Sequence, residues 1–485
     1  MRASAHLVAL LGAASAVVPP LAGRQLPAAP FLRQRTALRS RVLTASTPAA
    51  QPAQAQDGIP SGVATVLTAA FLNLLGFTMA IPINTALKGH FGLAMGSSLG
   101  SLSSAYPLGM FGALFLWPRL SDRVGRKPVI SLSLLGSAIG LAAQAYAVHR
   151  NWPLTAFLTC RVLTGCCAGA GTVAKAYLAD IGAASGRLPQ YMAWRDAANT
   201  LAFIAGPILG GYVYAATNSL ATVIGVMAFG SLAAAALVAR FVTEAGWSER
   251  GGGERTLRDE EVASASSGEL LACPLGTQLY AAVGTVCAIS ALYNCGSATF
   301  SAFLGPLAQE RAGLSVRSVG TAYTLLSALS FAVSTTVAAR AQRVLGVAAT
   351  CTLGLLFVGL GLLGMGAVAA LAPASAATFG PGYALAFWGA AALYQLGVPL
   401  YAPTVPTMLL QCVPPRRRGA LMGLDEAFNT AARVAAPIYF GSLYASRGAF
   451  ACLGAAGAAS IAAAALTVAR RLLTLRTVRR LERDL

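Results

Sequence analysis

Charged side chains are scarce in this sequence. Only 11% of the 485 residues are charged and 56% are hydrophobic, whereas a soluble domain carries about 25% charged residues. The apolar residues form long runs, and a helix needs roughly 20 of them to cross about 30 Å of hydrocarbon. The shortage of charge argues against a soluble enzyme with one large core and predicts an all-α membrane protein.

Groups that bind metals or catalyse reactions are also scarce. The three histidines, His6, His90 and His149, lie outside the apolar runs, so no histidine cluster is expected in the membrane. The nine cysteines include no Cys-x-x-Cys pair, and those inside apolar runs are expected to be small buried hydrophobic residues. The sequence has no glycine-rich phosphate loop followed by Lys and Ser or Thr, which would indicate ATP hydrolysis. We therefore predict no metal, no cofactor and no enzyme activity.

Basic residues give the chain a formal net charge of +19, yet their positions do not indicate a nucleic-acid partner. They concentrate in alternate short loops between apolar runs and at the two ends, a distribution that fixes the orientation of membrane helices. By the positive-inside rule both ends lie on one side of the membrane, so the number of spans is even. The opposite loops carry few bases: Lys88, Arg150, Arg311, Arg317 and Arg447.

The N-terminal region has the composition of a targeting leader. Residues 1–56 contain six arginines and no acid, and the first acid is Asp57. The apolar stretch 5–23, interrupted by two prolines, is similar to the core of a signal peptide, and the Arg-, Ser- and Pro-rich stretch 24–56 is typical of transit peptides. Together they resemble the two-part presequences of algal plastid proteins. We predict that residues 1–57 are a cleaved or disordered leader to a plastid membrane; a disordered tail or a mitochondrial presequence is the alternative.

Twelve apolar runs follow the leader. A polar interruption at 243–276 divides them six and six, as a linker between halves would. We therefore predict two six-helix bundles at 58–242 and 277–472, followed by a basic tail at 473–485. The runs lie at 62–86, 98–117, 128–148, 154–177, 191–214, 219–242, 277–303, 317–339, 346–371, 381–409, 419–443 and 448–472.

The two predicted halves contain an internal repeat. Residues 192–214 align without gaps on residues 422–444. The alignment matches an acid, an Asn-Thr pair, a proline and a tyrosine, which apolar composition alone would not produce. Such repeats are common in transporters, where the substrate site lies near the membrane midplane between them. The matched pairs include Asp196 with Glu426, Asn199 with Asn429, and Pro207 with Pro437.

The loop between the second and third runs carries the most specific motif. Residues 118–128 read Pro-Arg-Leu-Ser-Asp-Arg-Val-Gly-Arg-Lys-Pro. This resembles the G-x-L-a-D-R-x-G-R-K loop of the major facilitator superfamily, with Pro118 in place of the first glycine. The resemblance implies the major facilitator fold, with twelve helices in two pseudo-symmetric bundles.

An acid among four bases in this loop predicts a conformational latch. Asp122 can face the positive N-terminal end of a neighbouring helix, an interaction that is worth roughly 0.3–1 kcal/mol when exposed. A pure topology determinant is the alternative, but acids contribute little to topology. The resemblance implies that Asp180 pairs with the loop. The predicted latch residues are Asp122, Arg123, Gly125, Arg126, Lys127 and Asp180.

Two further motifs resemble the drug:proton antiporter branch, which includes tetracycline-efflux proteins. Arg161 begins an Arg-x-x-x-Gly motif in the fourth run. An arginine at a helix centre costs roughly 2.5–3.5 kcal/mol, so Arg161 is expected to face a cavity, with snorkelling to an interface as the alternative. The fifth run is similar to a Gly-Pro-x-x-Gly-Gly motif, which predicts a helix bend or ordinary close packing. Its residues are Gly206, Pro207, Gly210 and Gly211.

Other polar residues inside the runs are candidates for a substrate or proton path. Asp196 and Asn199 lie one helical turn apart, as do Glu426 and Asn429, so each pair is expected to share a helix face. These side chains would close a gate or carry a coupling proton, and static contacts between helices are the alternative. The candidates are Arg161, Asp196, Asn199, Asn294, Gln395, Glu426 and Arg433.

Together these features predict a secondary transporter that moves a small organic solute by alternating access. The antiporter-like motifs imply proton coupling, with antiport favoured. A facilitative uniporter remains an alternative, as does a transporter-like sensor or scaffold. The expected partners are a small-molecule substrate, protons and membrane lipid, without nucleic acid, and we expect a monomer.

Overall fold

A computed structural model describes residues 60–185, 187–242, 276–372, 379–412 and 418–484. The predicted leader therefore lies outside the described residues, as does nearly all of the predicted linker. We call residues 60–242 the N-terminal half and residues 276–484 the C-terminal half.

The described part of the N-terminal half is helical apart from short turns. Its helices are α1 (Ser61–His90), α2 (Ser97–Val124), α3 (Arg126–His149), α4 (Leu154–Cys166), α5 (Ala170–Ala184), α6 (Leu188–Thr217) and α7 (Leu220–Phe241). The sharp turn from α2 to α3 is made at Gly125, whose φ of 111° is accessible to glycine and strained for other residues. Its amide donates to the Ser121 carbonyl at 3.1 Å.

The C-terminal half repeats this organisation. Its helices are α8 (Gly276–Ala312), α9 (Val316–Val333), α10 (Ala339–Leu345), α11 (Val347–Leu371), α12 (Pro381–Tyr401), α13 (Thr404–Cys412) and α14 (Arg418–Asp484), with a π-helical turn at Ser334–Ala338. Gly346, with φ 81°, makes the turn before α11 as Gly125 does before α3. The fold is all-α in the residues that the structure describes.

The described residues contain eleven helical segments that are long and apolar enough to cross a membrane. The last of these, Met422–Leu472, is 51 residues long and would extend about 75 Å as one straight helix. That is more than twice a hydrocarbon thickness of about 30 Å, and Gly448 breaks it with φ 81° and ψ −176°. The predicted integral membrane fold is confirmed, and the count of twelve spans stays a prediction.

Several predicted runs are not single continuous helices: the run at 381–409 is divided between α12 and α13, and the runs at 419–443 and 448–472 both lie in α14. The run at 154–177 is broken between α4 and α5, where three residues leave the helix. The freed carbonyls are bound by other helices: the Trp117 indole donates to the Cys166 carbonyl at 2.8 Å and the Ser133 hydroxyl to the Cys167 carbonyl at 2.5 Å. Such bonds make a broken helix tolerable at membrane depth, where water is absent.

The buried cores show how the halves meet. We call the end of the helices where α1 finishes the Lys88 end, and the end where α3 begins the Arg126 end. At the Lys88 end one core contains residues of both halves, such as Leu99 and Phe303. Toward the Arg126 end each half has its own core, around Val129 in one and Val283 in the other. The halves are therefore joined at the Lys88 end.

Candidate functional site

Arg161 lies on α4 beside a cavity inside the N-terminal half. The cavity has a volume of about 60 Å³ and is lined from α1, α2, α3, α4 and α7. The guanidinium Nη2 of Arg161 donates to Asn84 Oδ1 at 3.3 Å, and Tyr106 lies next to it. Because Arg161 lines an internal cavity, the cavity interpretation fits its position better than snorkelling does.

Arg161 forms no ion pair with any described residue. Four ion pairs join residues that the structure describes: Lys88–Glu310, Arg126–Asp122, Arg126–Asp180 and Arg195–Asp196. The described neighbours of the Arg161 guanidinium are therefore neutral groups, the Asn84 amide and the Tyr106 phenol. A second neutral pair, Gln144 Nε2 to Thr164 Oγ1 at 2.7 Å, lines the same cavity.

A second polar cluster lies in the C-terminal half between α8 and α14. Arg433 Nε donates to Asn294 Oδ1 at 3.0 Å, Asn294 Nδ2 donates to Asn429 Oδ1 at 3.0 Å, and Asn429 Nδ2 donates to Asp425 Oδ2 at 3.1 Å. We call the two asparagines the amide chain. Arg433 is exposed and lies inside the candidate span Met422–Leu472, before the break at Gly448. A guanidinium that faces lipid is costly, and the bond to Asn294 holds this one against α8 within the C-terminal half.

The acid at the end of this cluster differs from the predicted one. Glu426 was the candidate by repeat alignment, and it is half-buried with no part in the chain of hydrogen bonds described above. Asp425 is only 8% exposed and bonds to Asn429. The spacing could have indicated Asp425. At 3.6 residues per turn, residues four apart, such as Asp425 and Asn429, lie closer to the same helix face than residues three apart, such as Glu426 and Asn429.

The N-terminal half shows the same difference. The Asp196 side chain is 74% exposed and pairs with Arg195 at 3.5 Å, whereas Asn199 is half-buried. A common role for the two on a shared helix face stays a prediction. Arg195 and Asn199 instead line one cavity of about 130 Å³ together with Asn73 of α1. A role for Asp196 in a proton path stays a prediction.

Gln395 is a predicted path residue on α12. It is half-buried and follows Tyr394, whose ring stacks on Phe300 with centroids 3.9 Å apart. This aromatic pair places α12 against α8 within the C-terminal half. A contact between Gln395 and a solute stays a prediction.

Two of the predicted latch residues, Asp122 and Asp180, bond to a third, Arg126. Its Nη1 bonds to Asp122 Oδ1 at 2.6 Å and to Ser121 Oγ at 2.6 Å, and its Nε bonds to Asp180 Oδ2 at 3.3 Å. Arg126 is the first residue of α3, so the adjacent carboxylates also face the positive end of that helix. Arg123 is exposed and Lys127 half-buried. Their roles, like the latch itself, stay predictions.

The predicted bend motif lies within α6, which is helical throughout. Its glycines allow close approach: a side chain at Gly206 would meet Thr78, and one at Gly210 would meet the Met79 backbone, both on α1. Gly211 faces the start of α9. Close packing, one of the two interpretations of this motif, therefore accounts for the glycines, and a bend stays a prediction.

Sequence reasoning missed the contacts that close the Lys88 end. Lys88 forms an ion pair with Glu310 of the other half. Arg317 Nη2 donates to the Tyr212 hydroxyl at 2.6 Å, and the Thr324 hydroxyl donates to the Ile204 carbonyl at 2.8 Å. All three bonds join the two halves. Their partners are more than 100 residues apart in the chain, so no local pattern indicated them.

Comparison with known proteins gives the family. The model of the Major Facilitator Superfamily matches residues 66–372, well over half of the chain. The class B tetracycline resistance protein of Escherichia coli is 33% identical over 153 residues, which are 31% of this chain and 36% of that protein. The mouse (Mus musculus) major facilitator superfamily domain-containing protein 10 is 39% identical over 114 residues, 24% of each chain. The chain thus spans about a third or less of these curated relatives.

Solved structures share the fold. The human organic anion transporter MFSD10 has a TM-score of 0.58 and 21% identity, covering 84% of this chain and 99% of that one. A D-xylose-proton symporter has a TM-score of 0.69 and 14% identity, covering 84% and 96%. The family match, and not the shared fold, indicates a membrane transporter rather than an enzyme, and it shows that the protein belongs to the Major Facilitator Superfamily.

Proposed function

We propose that this protein moves a small organic anion across its membrane by alternating access, coupled to protons. The observation that carries the proposal is the pair of arginines Arg161 and Arg433. Each lies inside a candidate span, donates to an asparagine of another helix and has no ion-pair partner among the described residues. One lies in each half, as expected for a solute held between repeats.

Electrostatics supports an anion over a cation. An anion about 4 Å from one guanidinium gains roughly 4 kcal/mol at an effective dielectric constant of 20. A cation in the same place would be repelled by similar amounts. The arginines are oriented by Asn84 and Asn294, so part of each guanidinium's donor set remains for a solute. The name of the human organic anion transporter, whose fold this chain shares, agrees with this charge.

Proton coupling is supported by the motifs that resemble drug:proton antiporters and by Asp425, the buried carboxylate in the C-terminal half. The resemblance favours antiport. The tetracycline resistance proteins, which match the chain over about a third of their length, agree with it. A facilitative uniporter is the alternative, and it is distinguished by its indifference to a pH gradient.

The test is solute flux in proteoliposomes that contain the purified full-length chain. A panel of matched organic anions, cations and neutral solutes is offered with and without a pH gradient. We expect flux of anions, with a rate that depends on the gradient. Flux of cations alone would contradict the negative charge assigned to the solute. Flux that does not depend on the pH gradient would indicate a uniporter. If no solute is transported, a sensor or scaffold becomes the favoured function.

The matched variants are Arg161→Gln and Arg240→Gln. Arg240 is an exposed arginine in the last turn of α7, over the ring of Phe241. Hydrogen bonds to charged groups are worth about 1.5–3 kcal/mol, so Arg161→Gln should weaken apparent anion affinity about 10- to 150-fold. Arg240→Gln should leave it unchanged. Equal effects of the two variants would remove Arg161 from the binding site.

A further inference from the structure

Asp425 is a buried carboxylate that neither the motifs nor the repeat alignment had singled out. It is 8% exposed and lies within the candidate span Met422–Leu472, about 10 Å from the start of α14. Its Oδ2 accepts a hydrogen bond from Asn429, whereas its Oδ1 is buried and makes no hydrogen bond of good geometry to a described residue, although the Ser290 hydroxyl and the Cys287 thiol lie close to the carboxylate. A buried charged oxygen without a partner is costly, so this atom calls for a functional explanation.

Among the residues whose side chains the structure describes, the groups that face Asp425 supply no positive charge. On α8 they are the Cys287 thiol and the Ser290 hydroxyl, and on α12 the Tyr401 phenol, which itself bonds to Ser290 at 3.4 Å. On α14 they are Asn429 and the acid Glu426. A proton on Oδ1 would remove the uncompensated charge. A metal cation such as Mg²⁺ would need roughly six oxygen ligands, which these neighbours do not supply.

The amide chain connects this carboxylate to Arg433. Both asparagines point their NH₂ groups toward the acid and their carbonyls toward the arginine, as the three bonds of 3.1, 3.0 and 3.0 Å show. Hydrogen bonds in such a chain polarise one another. An ionised Asp425 therefore strengthens the hold of Asn294 on the guanidinium, and a protonated Asp425 weakens it.

The internal repeat shows that the two halves of this chain differ at the position of this acid. The alignment that pairs Asn199 with Asn429 places Arg195 at the position of Asp425. Arg195 lines a cavity with Asn199 and is balanced by its exposed neighbour Asp196. The same place in the repeat thus carries an ion pair in one half and an unpaired acid in the other.

We infer that Asp425 is the site that takes up and releases the coupling proton, and that the amide chain links its charge to the availability of Arg433 for a solute anion. The inference rests on the proposed function. In this arrangement protonation of Asp425 frees Arg433, so proton and anion binding reinforce each other. Such coupling moves both in the same direction, which is opposite to the antiport that the motifs imply.

Infrared difference spectroscopy tests the proton site without a solute. The full-length chain in lipid nanodiscs is titrated, and the C=O stretch of a protonated carboxylic acid is followed. We expect a titrating band that is lost in Asp425→Asn, shifted in Asp425→Glu and kept in Glu426→Gln, the adjacent acid and matched control. A band that survives Asp425→Asn, or is lost in Glu426→Gln, would overturn the inference.

Chemical modification tests the link to Arg433. Phenylglyoxal labels accessible arginines, and peptide mass spectrometry reports labelling at each position. Asp425→Asn, which mimics the neutral acid, should raise labelling of Arg433 severalfold and leave that of Arg161 unchanged, which also reports correct folding. Unchanged labelling of Arg433, or an equal rise in Glu426→Gln, would overturn the link.

Flux measurements keep the two proposals separate. If wild-type protein moves no solute, the proposed function fails whatever the band shows. If wild-type flux responds to the pH gradient and Asp425→Asn flux responds equally, the proposed function stands and the inference fails. Loss of the gradient response in Asp425→Asn, with acidification of the anion side accelerating wild-type uptake, supports both.

Discussion

The two ends of the helices are held by different kinds of contact. At the Lys88 end the halves share one hydrophobic core, and backbones touch: an added methyl at Gly100 of α2 would meet the Pro437 carbonyl of α14. At the Arg126 end each half has a separate core. The ion pairs described there join helices of the N-terminal half to one another and do not cross to the other half.

This difference indicates which end of the protein is closed in this conformation. Under the proposed alternating access one end closes while the other is open, so the shared core assigns the structure to a state closed at the Lys88 end. Among the described residues the halves are joined there by close packing, by one ion pair and by the hydrogen bonds of Arg317 and Thr324. We expect the packing to contribute most. The contacts at the Arg126 end hold one half in shape. Substitutions at the two ends should therefore shift the equilibrium between states by different amounts.

The largest effect is expected from Gly100→Ala. Forcing a methyl into a well-packed contact costs about 1–3 kcal/mol, which would shift the equilibrium away from closure of the Lys88 end about 5- to 150-fold. The measurement is the distance distribution between spin labels at Gly89 and Gln309, in a cysteine-free background that retains transport. The closed population should fall in the variant.

Gly112→Ala is the matched control for this prediction. It changes the same residue type on the same helix, but a methyl at Gly112 meets no atom within 4 Å. The two variants should differ in the population of the closed state. If they gave the same distances, close packing at Gly100 would not be what holds the Lys88 end together.

A smaller effect is expected from reversal of the Lys88–Glu310 pair. The Glu310 side chain is 39% exposed, so solvent screening limits the pair to about 1 kcal/mol or less. Lys88→Glu should reduce closure up to about fivefold, and the double variant Lys88→Glu with Glu310→Lys should restore it. The same spin-label distances report both. Failure of the double variant to recover closure would show that the pair is incidental to the closed state.

Much of this organisation was predictable because the bilayer sets helix length. The apolar runs predicted an all-α membrane protein, although the described residues contain eleven candidate spans against twelve predicted runs. The cost of burying a guanidinium singled out Arg161. The alignment of the repeat also pointed to the turn of α14 that carries the buried Asp425. Within that turn it chose Glu426, because sequence identity in a repeat does not tell which of two adjacent acids faces inward.

The remaining features depend on contacts that no local pattern encodes. The break between α4 and α5 is stabilised by Trp117 and Ser133, which lie on other helices. The Lys88–Glu310 pair depends on how two separately predicted halves dock. Asp425 becomes informative only when the neutral groups of α8 and α12 are placed around it. These features depend on how the helices pack in three dimensions, which composition and periodicity do not determine.

The smallest effect is expected at the Arg126 end, from Asp180→Asn. Arg126 retains its bond to Asp122, and the Asp180 side chain is 42% exposed, so the loss should be about 0.2–0.5 kcal/mol, or about a twofold shift. Arg123→Gln is the control, since Arg123 is exposed and belongs to the same motif. A shift in Arg123→Gln larger than that in Asp180→Asn would mean that the latch works through Arg123 in another state, and that the ion pairs seen here only shape the loop.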